Sequence, residues 1–254
     1  MGIIGGKVGY RILRILASQA SSGHSSNRAE PTTPPTKLQQ FFGEDFFNGI
    51  QGKTVIDFGC GTGAQAVEMA RMGAARVIGL DIQERHLAVG RELATQFSVA
   101  DRCVFVSSVD EKADIVVSKD AFEHFSDLSA VLRQMSLLLR PGGYVLAAFG
   151  PTWLHPYGGH LFSVFPWAHL LFTEEVLIRW RSDFKSDGAR RFCEVEGGLN
   201  QLTIAAFEQI VDDSPLRLEW LETVPIKGIR FLKLRALREV GSSIVRCKLT
   251  LRGF

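Results

Sequence analysis

The chain has 254 residues, 46 % hydrophobic and 22 % charged. That excludes a wholly disordered protein and leaves enough apolar surface for a substantial core. Net charge is +2, but residues 1–29 carry four Lys or Arg and no acid, while 226–254 carry eight against Glu239 alone. Basic ends around an acidic body are expected either to be solvated basic faces or to make peripheral contact with an anionic surface, membrane headgroups before nucleic acid. The longest apolar run, 161–172, is broken by Pro166 and His169 and is too short to cross a bilayer. Cys60, Cys103, Cys193 and Cys247 form no CxxC pair, which argues against a zinc ribbon and fits a reducing, cytoplasmic setting.

Residues 1–36 have the composition of a flexible basic leader: a short apolar and basic stretch, 8–16, then Ser, Gly and Asn, then Pro31, Pro34 and Pro35. A membrane-surface anchor or a transit peptide are the alternatives for this segment. Residues 37–254 are expected to form the folded domain.

From residue 54 strand and helix patterns alternate. Strands are expected at 54–57, 76–80, 103–106, 114–118 and 144–149, with helices at 64–71, 82–97 and 128–139 between them. The Arg140-Pro-Gly-Gly143 run should stop the third helix sharply. Repeated βα units imply a Rossmann-like, doubly wound parallel sheet. Residues 151–200 break the rhythm with rings and glycines and are expected to form a lid inserted after the fifth strand. A helix at 203–211 and a strand at 216–223 resume the pattern. Residues 244–252 alternate apolar with basic, which predicts a last strand with one basic face in water.

Val55-Ile-Asp57-Phe-Gly59-Cys-Gly61-Thr-Gly63-Ala64 lies between a strand and a helix. Glycines there permit a tight turn and let a ligand approach backbone N–H groups. Gly59-x-Gly61-x-x-Ala64 satisfies the dinucleotide fingerprint, with Asp81 at the right distance for a ribose, so an NAD-dependent oxidoreductase is one reading. Asp57 favours another. A carboxylate just before the glycines is unneeded beside a pyrophosphate but complements a ligand carrying an ammonium and a sulfonium, as S-adenosylmethionine does.

With Val77-Ile-Gly-Leu-Asp-Ile82, Asp120-Ala-Phe-Glu-His124 and Leu138-Leu-Arg-Pro-Gly-Gly143, residues 53–150 resemble the class I S-adenosylmethionine-dependent methyltransferases, in particular the small-molecule type 11 group. The resemblance implies a seven-stranded sheet whose last strand is antiparallel. It assigns Asp57, Gly59, Gly61 and Gly63 to the methionine end of the cofactor and Asp81 to the ribose, with Ile82 also expected among the cofactor-binding residues. Asp110 would meet the adenine, or with Glu111 form a solvated turn, and Ser118 is also expected among the cofactor-binding residues. Glu123 and His124 follow that strand and either touch the ligands or position the next helix. Cys60 is expected to serve as a small loop residue.

Trp153-Leu-His155-Pro-Tyr157-Gly-Gly-His160 leaves the fifth strand where an acceptor must enter. His155, Tyr157 and His160 are therefore the candidate proton-handling residues, with Gly158 and Gly159 as a hinge. A metal held by His155, His160, His169 and Glu174 or Glu175 is not expected, because the spacing fits no zinc pattern. The expected reaction is methyl transfer to a small-molecule or lipid-like acceptor. A catalytically silent methyltransferase-like binding protein is the rival outside enzymes. A nucleic-acid substrate is not expected, since Ser118-Lys-Asp-Ala121 stands where exocyclic-amine methyltransferases carry a Pro-Pro-aromatic run.

Overall fold

Runs of β-branched and aromatic residues between glycine-rich breaks become strands, as a pleated surface buried on both faces favours. They are β1 (Thr54–Phe58), β2 (Arg76–Leu80), β3 (Cys103–Val106), β4 (Ala113–Lys119), β5 (Leu139–Phe149), β6 (Leu216–Pro225) and β7 (Ser242–Leu251). The computed structural model describes residues 2–20, 38–195, 197–226 and 237–253. All seven strands join one sheet in the order β3-β2-β1-β4-β5-β7-β6. The first five run parallel, and β7 is antiparallel to both β5 and β6. The direction of winding reverses between β1 and β4, so the crevice beyond their carboxyl ends is where such a sheet takes a ligand.

The longer helices are α1 (Gly6–Ala20), α2 (Ala64–Arg71), α3 (Glu84–Gln96), α4 (Leu128–Leu138), α5 (Glu174–Arg181) and α6 (Ile204–Asp212). Successive strand residues face opposite sides, so Val55 joins one core layer and Ile56 the other. Ala66, Val67 and Met69 of α2 and Leu87 of α3 cover the first layer. Leu132 and Met135 of α4 and Phe207 and Val211 of α6 cover the second.

Two strand expectations need correction. β5 begins at Leu139 and not at Tyr144. Its pairing with β4 steps from Ala113↔Leu139 to Ile115↔Tyr144, so residues 140–143 bulge out of a continuous strand. β7 does alternate, but its basic face is not left free in water. Arg246 pairs with Glu222 at 2.8 Å and Lys248 with Glu219 at 2.9 Å, both acids on the adjacent β6. Arg252 donates to the carbonyls of Ser214 and Leu216. Residues 227–236, which hold half of the basic side chains of that end, lie outside the described residues.

Residues 6–20, assigned by composition to a flexible leader, are instead the helix α1. Gly9, Leu13 and Ala17 recur every four residues and form its buried face. Leu13 is fully buried among Phe162, Phe172, Val176 and Leu177 of the 151–200 segment, which has this apolar cluster of its own. Residues 21–36 of the proposed leader lie outside the described residues. Leu13→Ala should cost about 2–5 kcal/mol of stability, the usual range for emptying a buried leucine site. A denaturant midpoint that moves no more than that of the exposed-site control Val8→Ala would show α1 to be undocked.

Candidate active site

Three glycines with positive φ carry the chain from β1 into α2: Gly59 (+80°), Gly61 (+52°) and Gly63 (+80°). Two of them need glycine for different reasons. A Cβ on Gly63 would lie 2.3 Å from the ring of Phe105, so the loop is packed against β3 from beneath. A Cβ on Gly61 would meet nothing within 4 Å, leaving an open cradle above the backbone there. Asp81, at the end of β2, fixes that cradle. Its Oδ2 accepts from Gly61 N–H at 2.9 Å and its Oδ1 from Gln83 N–H at 2.8 Å. Each oxygen keeps a second lone pair for a further donor. Ile82 beside it is 92 % exposed, an apolar side chain with no core to join.

Asp57 is buried at the end of β1 and receives a hydrogen bond from the backbone N–H of Ala66. Its Oδ2 has no partner among the described residues. Burial pushes its pKa up to about 7, the Lys119 ammonium opposing that shift and the Asp81 carboxylate adding to it. Sequence reasoning passed over Lys119. It ends β4, forms an ion pair with Asp120 and stacks its ammonium 4.4 Å above the ring centre of Phe41. Cys60 is buried, and burial together with Asp57 raises its thiol pKa, as suits an inert loop residue.

Asp110 lies away from its expected place, and Ser118 is engaged inside the sheet. Asp110 is exposed, only three residues before β4 starts, and the next residue, Glu111, pairs with Arg76 at the beginning of β2. The short connection has by then returned to the sheet edge opposite Asp81. The residues that leave β3 at the crevice edge are Ser107 and Ser108, both exposed. Ser118 is fully buried and donates its hydroxyl proton to the Phe58 carbonyl at 2.9 Å, tying β4 to β1.

Past β4 and β5 lies a second group of buried polar atoms. Glu123 accepts from Gly150 N–H at 3.1 Å and keeps Oε2 unpartnered, and burial raises its pKa to about 7. His124 donates from Nδ1 to the carbonyl of Gly198 at 2.9 Å. The pair thus braces both ends of the 151–200 segment. In the folded chain Asp57 and Glu123 hold protons that the unfolded chain releases near pH 4. Their burial therefore destabilises the folded state progressively as pH rises from about 4 to 7.

Within the segment the three expected proton-handling residues separate. His160 hydrogen-bonds the backbone at Pro151, leaving Nε2 buried without a partner, and its ring stands 5.4 Å from that of His124. Burial and the neighbouring His124 lower its pKa to about 4, so it is neutral at physiological pH. The ring hydrogen bond to a carbonyl makes Nδ1 the donor, and Nε2 then carries a lone pair. His155 has the reverse arrangement. Its Nδ1 accepts from Tyr157 N–H at 3.0 Å, so the buried Nε2 carries the hydrogen. Tyr157 is exposed. His169 spends both nitrogens inside the segment, on Ser163 at 2.8 Å and the Trp153 carbonyl at 2.7 Å.

The glycine hinge is also corrected. A Cβ on Gly158 would strike the Thr152 carbonyl at 2.2 Å, and one on Gly159 would strike His169 at 2.3 Å. These glycines permit close packing of a folded segment. A cavity of about 180 Å³ remains beside them, lined by His124, His160, Phe162 and Leu199 among others.

Residues 51–150 match the family model described as a methyltransferase domain. Over this stretch the chain is similar to that family. The ubiquinone biosynthesis O-methyltransferase of Acinetobacter baumannii strain AYE is 34 % identical over 137 residues, which cover 51 % of this chain and 56 % of that protein. The ribosomal protein L11 methyltransferase of Pasteurella multocida is 39 % identical over 98 residues, 37 % of this chain and 32 % of its own. The chain thus spans about half or less of the curated relatives it matches. The fold is shared with the geranyl diphosphate C-methyltransferase of Streptomyces coelicolor A3(2), at a TM-score of 0.53 and 15 % identity over 82 % of this chain and 76 % of that one. These similarities agree with the Rossmann-like expectation for the methyltransferase domain. Among the described residues no helix is long and apolar enough to cross a membrane.

Proposed function

We propose that the chain transfers a methyl group from S-adenosylmethionine to a small-molecule acceptor. The observation that carries this reading is the unpartnered Asp57 oxygen beside the open Gly61 cradle. A buried carboxylate there matches a cationic ligand and opposes a pyrophosphate, which is why the dinucleotide reading is second. When bound, the cofactor supplies an electrophilic methyl group on a sulfonium. Asp57 would hold its ammonium, the Gly59–Gly63 backbone its methionine portion, and the spare lone pairs of Asp81 its ribose hydroxyls. Ile82 would cover one face of the adenine, with Ser107 or Ser108 in place of Asp110 at its edge.

The acceptor would enter the cavity beneath the 151–200 segment. His160 Nε2 is the atom that can take a proton from it, whereas His155 does not line this cavity and its Nε2 carries a hydrogen. About 180 Å³ suits a single ring or a short chain, which favours a small acceptor. The ubiquinone-pathway relative supports a small acceptor, and the apolar Phe162 and Leu199 lining supports a lipid-like one. The reading has a pH signature. Cation binding selects ionised Asp57, so affinity for S-adenosylhomocysteine should rise about tenfold between pH 6 and 8, with proton release. Titration calorimetry in buffers of differing ionisation enthalpy measures both. Asp57→Asn should weaken binding and flatten the pH dependence; a wild-type affinity independent of pH removes Asp57 from the ligand.

A further inference from the structure

We propose that α1 docks the protein in the plane of an anionic lipid surface. Among the described residues, the face of this helix that packs inside the molecule is that of Gly9, Leu13 and Ala17 against α5, with Tyr10 at its edge. The rest divides by chemistry. Lys7, Arg11 and Arg14 recur at spacings of four and three and form a basic stripe, with no acid in the helix. Val8, Ile12 and Ile15 follow the same spacing one position later and form an apolar stripe exposed to solvent, Val8 at 69 % and Ile15 at 62 %. Core packing explains neither stripe.

Adjacent apolar and cationic stripes on one helix are the pattern of a helix lying at a membrane interface, with its aliphatic side chains at the acyl boundary and its cations at lipid phosphates. The charge is largely uncompensated. Among the described residues Asp183 is the acid that pairs with it, held by Tyr10 Oη at 2.8 Å and lying 3.9 Å from Arg14. Arg179 adds a further cation, its guanidinium 4.2 Å from the Tyr10 ring centre in the groove beside Lys7 and Arg11.

A second, independent feature continues the apolar surface. Ile3, 88 % exposed, precedes α1 and donates its N–H to the Leu171 carbonyl at 2.9 Å. That contact joins the helix to a part of the 151–200 segment where Leu171 and Trp167 are themselves exposed. Bilayer docking would therefore also set the segment that covers the acceptor cavity against the lipid. Bases on β7 do not compete for this role, because Glu219 and Glu222 neutralise them.

The test is co-sedimentation of the full chain with phosphatidylcholine vesicles, with or without about a third phosphatidylglycerol. The expected result is binding to the anionic vesicles alone, weakening steeply as salt is raised. Ile12→Asn with Ile15→Asn, and separately Lys7→Glu with Arg11→Glu, should each weaken it about tenfold or more, while affinity for S-adenosylhomocysteine is unchanged. Absence of wild-type binding to anionic vesicles, or equal binding by either double variant, overturns the proposal. So does a lipid-free dimer, seen by sedimentation velocity, that the Ile12 and Ile15 changes dissociate, since the apolar stripe would then belong to a second copy. Failure of the wild type to bind S-adenosylhomocysteine would overturn the cofactor reading and leave this one standing.

Discussion

His160→Ala should lower turnover by about 10²–10⁴-fold, the loss typical of a removed general base, with cofactor affinity barely changed. Three features of the residue lead to this expectation. Its Nε2 is buried, has no protein partner and belongs to a ring lining the acceptor cavity. Its other nitrogen faces the Pro151 backbone, an arrangement that favours the tautomer with the lone pair at Nε2. The backbone is held at φ +51°, a conformation a non-glycine residue adopts at some cost, and such positions concentrate at functional sites. A pKa of about 4 makes this imidazole a weak base that is unprotonated and available throughout the neutral range. At saturating cofactor the acid limb of kcat should accordingly fall below pH 6 in the wild type. His155→Ala should cost less, because its Nε2 bears the hydrogen and its ring does not line the cavity. Full turnover in both variants on the true acceptor would make the 151–200 segment a cover only, with the proton passing to water or Tyr157.

Asp81→Ala should weaken S-adenosylhomocysteine binding by roughly 1.5–3 kcal/mol, or about 10–150-fold. Two losses combine. The carboxylate that would accept the ribose hydroxyls disappears, and so do the acceptors for Gly61 N–H and Gln83 N–H that shape the cradle. Asp81→Asn separates them, since an amide can satisfy one of those N–H groups but not both. Its affinity should fall between wild type and the alanine variant. Unchanged affinity in Asp81→Ala, measured by calorimetry, takes this residue out of the site.

The sheet from β1 to β5 was legible in the sequence because its strands are short apolar runs punctuated by glycine, and its helices have periodic apolar faces. The place of Asp57 and the Gly59–Gly63 loop between β1 and α2 was legible for the same reason, since it is encoded in neighbouring residues. Features that depend on distant residues were not. Helix α1 escaped because two of the three residues on its buried face are Gly9 and Ala17, too small to register as an apolar stripe in a Ser- and Gly-rich stretch. The acids opposing the β7 bases became visible only through the β6–β7 register that sets Glu222 against Arg246. Asp110 was misplaced because counting residues after β3 does not reveal how quickly a short connection returns to the far edge of the sheet. Tyr157, His155 and His160 looked equivalent as ring residues in one motif, and hydrogen bonding alone separated a lone pair from an N–H.

Calorimetric titration of the full chain at pH 8, with S-adenosylhomocysteine and NAD as parallel ligands, tests the central claim most directly. The account predicts one-to-one binding of S-adenosylhomocysteine, lost or strongly weakened in Asp57→Asn, and no heat from NAD. Binding of NAD without S-adenosylhomocysteine would contradict it, and would return the glycine loop to the dinucleotide reading that its spacing alone allows.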